Sequence, residues 1–366
     1  MRVLYVTTIG LTMGFFTEHF KMLQAEGYEI ELACNTSSPV KQEILDLGLK
    51  VHNINFSRSP LAKDNFKACR ELKELVKKGN YDIVHCHTPN AAVITRLVCR
   101  DLRKNGLKII YTAHGFHFYK CAALKNWLLF YPVEWLCAHW TDTLITINKE
   151  DYALAQKHMH AKKVEYVHGV GLDIDKFKNC SVDRAEKRKE LGIGEEDIAI
   201  LSVGELNDNK NHQVVMNALA KLQNSKLHYF IAGQGDNKDK LIKLANDLEL
   251  AKNVHLLGYR IDINELCKSA NIYVLPSIRE GLNVSLMEAM ASGLPCVASK
   301  IRGNTDLIDE NGGELFNPHD VNSCVNAINS VLDKDLKAMS EYNKQKITAF
   351  DKNTVIEEMK RIYKEV

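Results

Sequence analysis

Two glutamates stand out by type and spacing: Glu280 and Glu288, in the run Ser277-Ile-Arg-Glu-Gly-Leu-Asn-Val-Ser-Leu-Met-Glu-Ala-Met-Ala-Ser-Gly-Leu-Pro295. An apolar segment, residues 270–275, and Pro276 come just before it. The pattern predicts a strand, a tight loop carrying Glu280, and a helix that opens near Asn283 and carries Glu288. The first turn of such a helix has backbone N–H groups without intrahelical partners. Those donors, at Asn283, Val284, Ser285 and Leu286, sit at the positive end of the helix dipole and make an anion site. A carboxylate at 288 would repel a phosphate if it pointed at one. It suits a neighbouring hydroxyl pair, such as a ribose diol. An anion site beside a diol-binding acid describes a nucleotide pocket. The bland alternative is an amphipathic helix following a loop acid.

Other segments place polar groups at the ends of expected strands, where open α/β sheets present ligand-binding residues. In Leu201-Ser-Val-Gly-Glu-Leu-Asn-Asp-Asn-Lys-Asn-His212, Gly204 allows a sharp turn and Lys210 supplies a mobile point charge for phosphate. In Thr112-Ala-His-Gly-Phe-His-Phe-Tyr119, His114 follows its strand closely and precedes Gly115, which favours it over His117 as a chemical group. His85 and His87 also end a strand and read better as structural. The first turn, residues 8–19, contains Gly10 and Gly14 without Gly-x-Gly-x-x-Gly spacing, so it gives little support to a nicotinamide dinucleotide. Gly233 and Gly235 form a second glycine loop that a turn alone explains. Tyr259 and Arg260 follow a further strand, and Arg260 reads equally well as a surface charge.

The segment around the two glutamates resembles the Glu-x7-Glu signature of retaining glycosyltransferases of family 4, which have two Rossmann-like lobes (the GT-B fold). Glu280 and Glu288 fall at its acid positions. Residues 204–212 resemble that family's Val-Gly-Arg-Leu…Lys-x-His segment, with Glu205 where arginine is usual. The departure changes the charge by two units, so either Lys210 acts with the helix dipole alone or an arginine from elsewhere substitutes. His114-Gly115 resembles the His-Gly motif. The resemblance spans essentially the whole chain and is weakest over its first half. It implies His114 and Glu280 as catalytic residues. It also implies a donor site drawn from Gly14, Glu205, Lys210, Tyr259, Arg260, Asn283, Val284, Ser285, Leu286 and Glu288. Tyr259 matches the position whose backbone receives the base.

By the same resemblance the donor is a nucleotide sugar, a UDP-hexose or UDP-N-acetylhexosamine. The acceptor is a glycan, one carried on a polyprenyl diphosphate, in capsule or exopolysaccharide synthesis. The donor is a substrate, so no cofactor is implied. No Asp-x-Asp pair or histidine cluster points to a catalytic metal. Two rivals stay open: a nucleotide-sugar epimerase, and a non-catalytic nucleotide-sugar-binding protein.

The elements that must hold these residues follow from pattern. The chain has 366 residues, 45% hydrophobic and 26% charged, which suits two cores. Apolar runs at 3–7, 29–33, 50–54, 83–85, 108–112, 143–147 and 164–167 alternate with helical patterns at 15–25, 40–47, 66–78, 91–104, 124–138 and 149–157. After a glycine-marked connection at 168–177 the alternation restarts, with strands at 198–203, 227–232, 254–257, 272–275, 296–298 and 313–316. Helices are expected there at 212–222, 238–248, 264–268 and 285–292. This predicts an α/β protein of two doubly wound, Rossmann-like lobes facing across a cleft. The acceptor-side lobe would be 1–168, with an amphipathic helix at 353–366 packing back on it, and the donor lobe 178–350.

The net charge is +2, but it is uneven. Through His168 there are 22 Lys and Arg against 16 Asp and Glu. This favours a membrane face or a phosphorylated acceptor as partner of the first lobe, or reflects ordinary surface variation; nucleic acid is not implied. The ten cysteines show no paired spacing, and Cys86, Cys99, Cys137, Cys267 and Cys296 suit buried thiols of a cytoplasmic protein. The N-terminus reads as a strand rather than a signal peptide, and peripheral contact with the inner membrane face is compatible with the charge. The aromatic stretch 118–135 suits either core packing or a lipid-bearing acceptor.

Overall fold

Short aliphatic runs flanked by helical segments on both sides have no solvent-facing edge and assemble as buried parallel strands. The structure, a computed structural model, describes residues 1–120 and 122–366. It divides into two compact units, Met1–Gly171 with Lys352–Val366, and Leu172–Asp351. In the first unit the strands are β1 (Arg2–Ile9), β2 (Glu29–Asn35), β3 (Lys50–Asn53), β4 (Ile83–His87), β5 (Lys108–Ala113), β6 (Thr143–Thr146) and β7 (Lys163–Tyr166). They form one sheet in the order β3-β2-β1-β4-β5-β6-β7. In the second unit β8 (Ile198–Val203), β9 (Leu227–Ala232), β10 (Val254–Gly258), β11 (Ile272–Leu275), β12 (Cys296–Ser299) and β13 (Gly313–Phe316) run in the order β10-β9-β8-β11-β12-β13. The pairings are parallel in both sheets.

This topology decides where ligands can go. Strand order reverses between β1 and β4 in the first unit and between β8 and β11 in the second. At such a switch point the loops leave the strand ends in opposite directions and open a crevice. The glutamate segment and the Lys210 loop leave the second switch point. The Gly14 turn and His87 leave the first.

Several elements differ from their sequence pattern. The connection at 168–177 is not irregular throughout: it holds the helix Ile174–Lys178, capped by the Asp173 carboxylate and anchored by buried Ile174 and Phe177. The chain passes from one unit to the next at Gly171–Leu172, inside that connection. Residues 10–16 form a 3-10 turn, and the helix begins only at Thr17. The helix expected at 40–47 is the single turn Gln42–Leu45. Helices Arg184–Glu190, Val321–Leu332 and Leu336–Lys346 lie where none was expected.

The terminal helix Lys352–Glu365 buries Val355, Met359, Ile362 and Tyr363 in the core of the first unit. Its Lys360 pairs with Glu26 at 2.6 Å, and Glu358 lies 2.7 Å from Nδ1 of His168. The Tyr363 hydroxyl reaches Nδ1 of fully buried His85 at 2.6 Å, while Nε2 of His85 meets the Thr112 hydroxyl at 2.8 Å. Tyr363→Phe leaves that buried nitrogen without a partner, which costs about 1–3 kcal/mol. Urea denaturation should show this loss; a midpoint equal to wild type would mean the hydroxyl does not anchor the helix.

The aromatic stretch packs only in part. Phe118 is fully buried and packs with Trp127 and Tyr131, whereas Leu124, Leu128 and Leu129 of the helix Leu124–Ala138 are each more than 60% exposed. Among the described residues no helix is long and apolar enough to cross a membrane. Cys86, Cys99, Cys137, Cys267 and Cys296 are buried and free.

Candidate active site

In the second unit, Lys210 and Glu280 come together although 70 residues separate them. The Lys210 ammonium lies 2.7 Å from Oε1 of Glu280, and both side chains are largely covered. Two loops make the pair. The loop after β8 ends in a 3-10 turn, Asp208–Lys210, capped by the Asn207 side chain. The loop after β11 carries Glu280. They are tied by Ile278 N–H to the Asn209 carbonyl (2.8 Å) and by Asn209 Nδ2 to the Arg279 carbonyl (3.0 Å). Asn211, at φ 51°, donates its amide to the carbonyls of Pro276 and Pro318. Gly204 makes room: a Cβ there would lie 3.0 Å from Cε of Lys210, so a side chain would push the lysine stem off Glu280.

The helix Val284–Ala291 opens beside this pair. Asn283 caps it, its Oδ1 accepting the Leu286 N–H at 3.0 Å. The Leu286 amide is therefore taken, and the amides of Val284 and Ser285 are the first-turn donors left to an anion. Tyr273 donates its hydroxyl to Ser285 Oγ at 2.7 Å, and Ser285 Oγ in turn reaches the Val203 carbonyl at 3.0 Å. These bonds fix the helix start against the end of β8. Glu288 lies further along the same helix. Burial pushes its carboxyl up to about 7, only partly offset by Lys176.

A third loop closes over Glu280. Arg302 is buried and donates Nε to the Glu280 carbonyl at 3.1 Å. Gly303, at φ +79°, packs so closely that a Cβ would stand 2.1 Å from the Gly281 carbonyl oxygen. Arg302 lies in no motif of the sequence, and Asn209 and Asn211 lie inside the 204–212 segment without being candidates there; all three act through backbone carbonyls, which leave no residue-type signature.

The remaining donor-side candidates are dispersed. Glu205 is exposed and accepts a hydrogen bond from Asn207 Nδ2 at 2.9 Å. Tyr259 is 73% exposed at the end of β10. The Arg260 guanidinium is held by Asp262 and by Glu190 (2.9 Å), so an ion pair already uses that charge. Gly14 lies inside the 3-10 turn rather than at a helix start, with the Lys41 stem over it.

In the first unit, four histidines gather at the ends of β1, β4 and β5. Tyr5 pairs in register with His85, and the alternation of a strand puts His85 and His87 on one face. The His85 and His87 ring centres lie 4.1 Å apart, and His87 stacks on Tyr5 at 4.6 Å. His114 comes from the loop after β5, its Nε2 3.1 Å from Nδ1 of His87. His19 adds Nδ1 to the Tyr5 hydroxyl at 3.3 Å. Burial pushes the imidazoles of His19 and His114 down to about 4, so both are neutral at pH 7. The loop carrying His114 is pinned by Phe116 N–H to the Asp151 carboxylate, 3.1 Å away.

Next to His87, Thr88 sits at φ 63°, ψ 138°, a conformation that costs a β-branched residue about 1–3 kcal/mol. Its hydroxyl donates to the His87 carbonyl and receives both the Thr8 N–H (3.0 Å) and the Thr8 hydroxyl (2.7 Å). Those bonds to the first turn hold the strained residue in place. Beyond His114, Gly115 and His117 line a cavity of about 480 Å³ walled by Leu61, Phe116, Leu129, Phe130 and Val133. His117 stacks on Phe130 at 4.6 Å.

Both halves of the chain match known families. Residues 183–347 match the model described as glycosyl transferases group 1, and residues 2–148 match glycosyl transferase 4-like. The chain is 34% identical to the putative glycosyltransferase EpsD of Bacillus subtilis, over 99% of this chain and 96% of that protein. It is 30% identical to an Escherichia coli UDP-Gal:alpha-D-GlcNAc-diphosphoundecaprenol alpha-1,3-galactosyltransferase, over 90% of this chain and 87% of that one. Among solved structures it resembles sucrose-phosphate synthase from Thermosynechococcus elongatus, with TM-score 0.82, 17% identity, and 100% and 98% of the two chains covered. It also resembles Anabaena HepE in complex with UDP and glucose, with TM-score 0.80, 18% identity and both chains fully covered. With its fold, its two glutamates and these relatives together, the chain belongs to the GT-B glycosyltransferases acting on nucleotide sugars, its two halves matching the glycosyl transferase 4-like and group 1 models.

Proposed function

We propose that this enzyme moves a hexose or N-acetylhexosamine, with retention of anomeric configuration, from a UDP-sugar to a glycan carried on a polyprenyl diphosphate. The observation that carries the reading is the Lys210–Glu280 pair set beside the open amides of Val284 and Ser285. Transfer builds negative charge on the departing diphosphate and positive charge at the anomeric carbon. Lys210 and the two amides answer the first. The Glu280 carboxylate holds sugar hydroxyls, His114 offers a neutral ring to the sugar, and Glu288 receives the ribose diol.

The acceptor side rests on the Escherichia coli galactosyltransferase named above and on the first unit. The 480 Å³ cavity beside His114 is walled largely by apolar side chains, and the leucines of Leu124–Ala138 continue that apolar surface outward. Exposed Arg58, Lys63, Lys67, Lys120 and Lys125 lie on the same segments. Apolar side chains among cations suit a lipid-linked diphosphate at the inner membrane face.

The test is a panel of nucleotide sugars run with short polyprenyl-diphosphate glycans, products read by mass and by the anomeric coupling in NMR. One UDP-sugar should be consumed with UDP released and an axial linkage kept. Turnover of a donor without acceptor would instead indicate an epimerase, and an inverted linkage would refute retention. Lys210 and the helix amides supply the positive charge that a metal gives elsewhere, so the rate in excess EDTA should stay within about twofold of the rate without it. Loss of activity restored by a divalent ion would overturn that part.

A further inference from the structure

Two members of the histidine cluster have a buried ring nitrogen without a hydrogen-bond partner, Nε2 of His19 and Nε2 of His87, and of the two it is His87 that makes a hydrogen bond to the proposed catalytic ring of His114. Its Nδ1 faces Nε2 of His114 at 3.1 Å, and its own Nε2 is buried without a hydrogen-bond partner. The ring lies among Tyr5, Phe16 and His85, with centroids at 4.6, 4.2 and 4.1 Å.

Two neutral arrangements satisfy the His87–His114 contact. If Nε2 of His87 carried the proton, a buried N–H would face aromatic rings with no acceptor. If Nδ1 carried it, Nδ1–H would donate to Nε2 of His114, leaving only a lone pair unanswered. Buried N–H groups without an acceptor are the rarer defect in folded proteins. We propose that His87 is a positioning residue: it donates Nδ1–H to Nε2 of His114 and thereby fixes His114 in its Nδ1–H tautomer. His114 then presents a hydrogen-bond donor, never an acceptor, through the nitrogen that makes no hydrogen bond to the described residues. A donor there suits the oxygen of a sugar hydroxyl or of the leaving group, and it rules out His114 as a general base. Burial, which pushes the His87 imidazole well below its usual range, keeps that ring neutral.

The backbone supports the assignment. Thr88 is locked at positive φ by three hydrogen bonds, one of them to the His87 carbonyl, so the ring has a single fixed origin. His85 cannot do the same for His114, because both of its nitrogens are taken by Tyr363 and Thr112.

The inference rests on the reading that His114 serves the transfer, and the experiment separates the two. The full chain is labelled with ¹⁵N-histidine, and the ring signals are assigned with His87→Asn and His114→Asn. His114 is expected to show a protonated Nδ1 and a bare Nε2, and His87 the same. A His114 ring protonated at Nε2 would overturn the tautomer assignment, whatever the activity. In kinetics His87→Leu should lower kcat about 10–100-fold, the range seen when a metal-bound histidine loses its orienting partner, with UDP affinity unchanged. His87→Asn, whose amide can donate from nearly the same place, should recover most of it. Equal losses in the Leu and Asn variants, with both folded by circular dichroism, would show a packing role only. Full activity in His114→Ala would sink the role in transfer while leaving the tautomer standing. A Leu variant that fails to fold leaves the spectrum of the unsubstituted protein to decide.

Discussion

Lys210→Met is expected to lower kcat/KM for the donor about 10²–10³-fold and to weaken UDP binding. The substitution keeps the volume of the stem that packs over Gly204 and removes only the ammonium. In the proposed reaction the charge on the departing diphosphate grows as the bond breaks, so a fixed cation stabilises the transition state more than the ground state. Removing one such preorganised donor typically costs about 3–4 kcal/mol. Glu280→Gln should cost a similar amount of turnover with the opposite effect on UDP. In the resting protein Glu280 neutralises Lys210 at 2.7 Å, so an incoming diphosphate competes with that carboxylate. The Gln variant frees the ammonium, and UDP should bind as tightly or tighter while kcat falls. Because the two residues touch, the double variant should lose less than the summed single losses. Titration of UDP by calorimetry beside donor kinetics checks all three statements. Lys210→Met with wild-type kcat/KM would remove the pair from the chemistry.

The strands of both sheets were readable because buried parallel strands and the loops that end them have strong local signals. The expected boundaries of β8, β9, β11 and β13 coincide with those of the structure. The contact between Lys210 and Glu280 was not readable. It exists because β8 and β11 are neighbours in the sheet, a long-range fact that no local spacing encodes. The helix Val321–Leu332 was readable and missed. Asp320 caps it, and Cys324, Ile328 and Val331 recur on its buried face. His85 and His87 illustrate a middle case. Two histidines two residues apart must share a strand face, but sequence cannot say that one ring is satisfied at both nitrogens and the other at one. Only the positions of Tyr363, Thr112 and His114 separate them.

The arginine missing at position 205 illustrates how charge is redistributed. Glu205 is exposed and turned to Asn207. The buried arginine on these loops is Arg302, which grips the Glu280 carbonyl. Lys210 is thus the cation that faces the acid pair partner directly, and Arg302 secures the loop that carries the acid.

Glu288→Gln should weaken UDP about 10–100-fold and abolish a pH dependence of binding that is expected of the unsubstituted enzyme. A hydrogen bond to a charged group contributes about 1.5–3 kcal/mol, and the Gln amide keeps the shape of the carboxyl without its charge. Burial has raised the Glu288 carboxyl from 4.5 to about 7, so near neutrality it is only partly ionised in the free protein. Ribose hydroxyls donating to it favour the ionised form. UDP binding should therefore expel a proton below about pH 7, and affinity should rise as pH increases from 6 to 8. Stability of the free protein must run the other way. Between pH 4.5 and 7 the folded state holds a proton that the unfolded chain has released, so this group's contribution is complete below 4.5 and is lost as pH rises through about 7. The loss approaches about 3 kcal/mol at 1.36 kcal/mol per pKa unit. Isothermal titration of UDP across that range, paired with urea denaturation at the same pH values, tests both slopes. In Glu288→Gln both should flatten. An unsubstituted enzyme whose UDP affinity is level from pH 6 to 8, or a Gln variant that keeps the slope, would mean that the carboxylate does not meet the ribose.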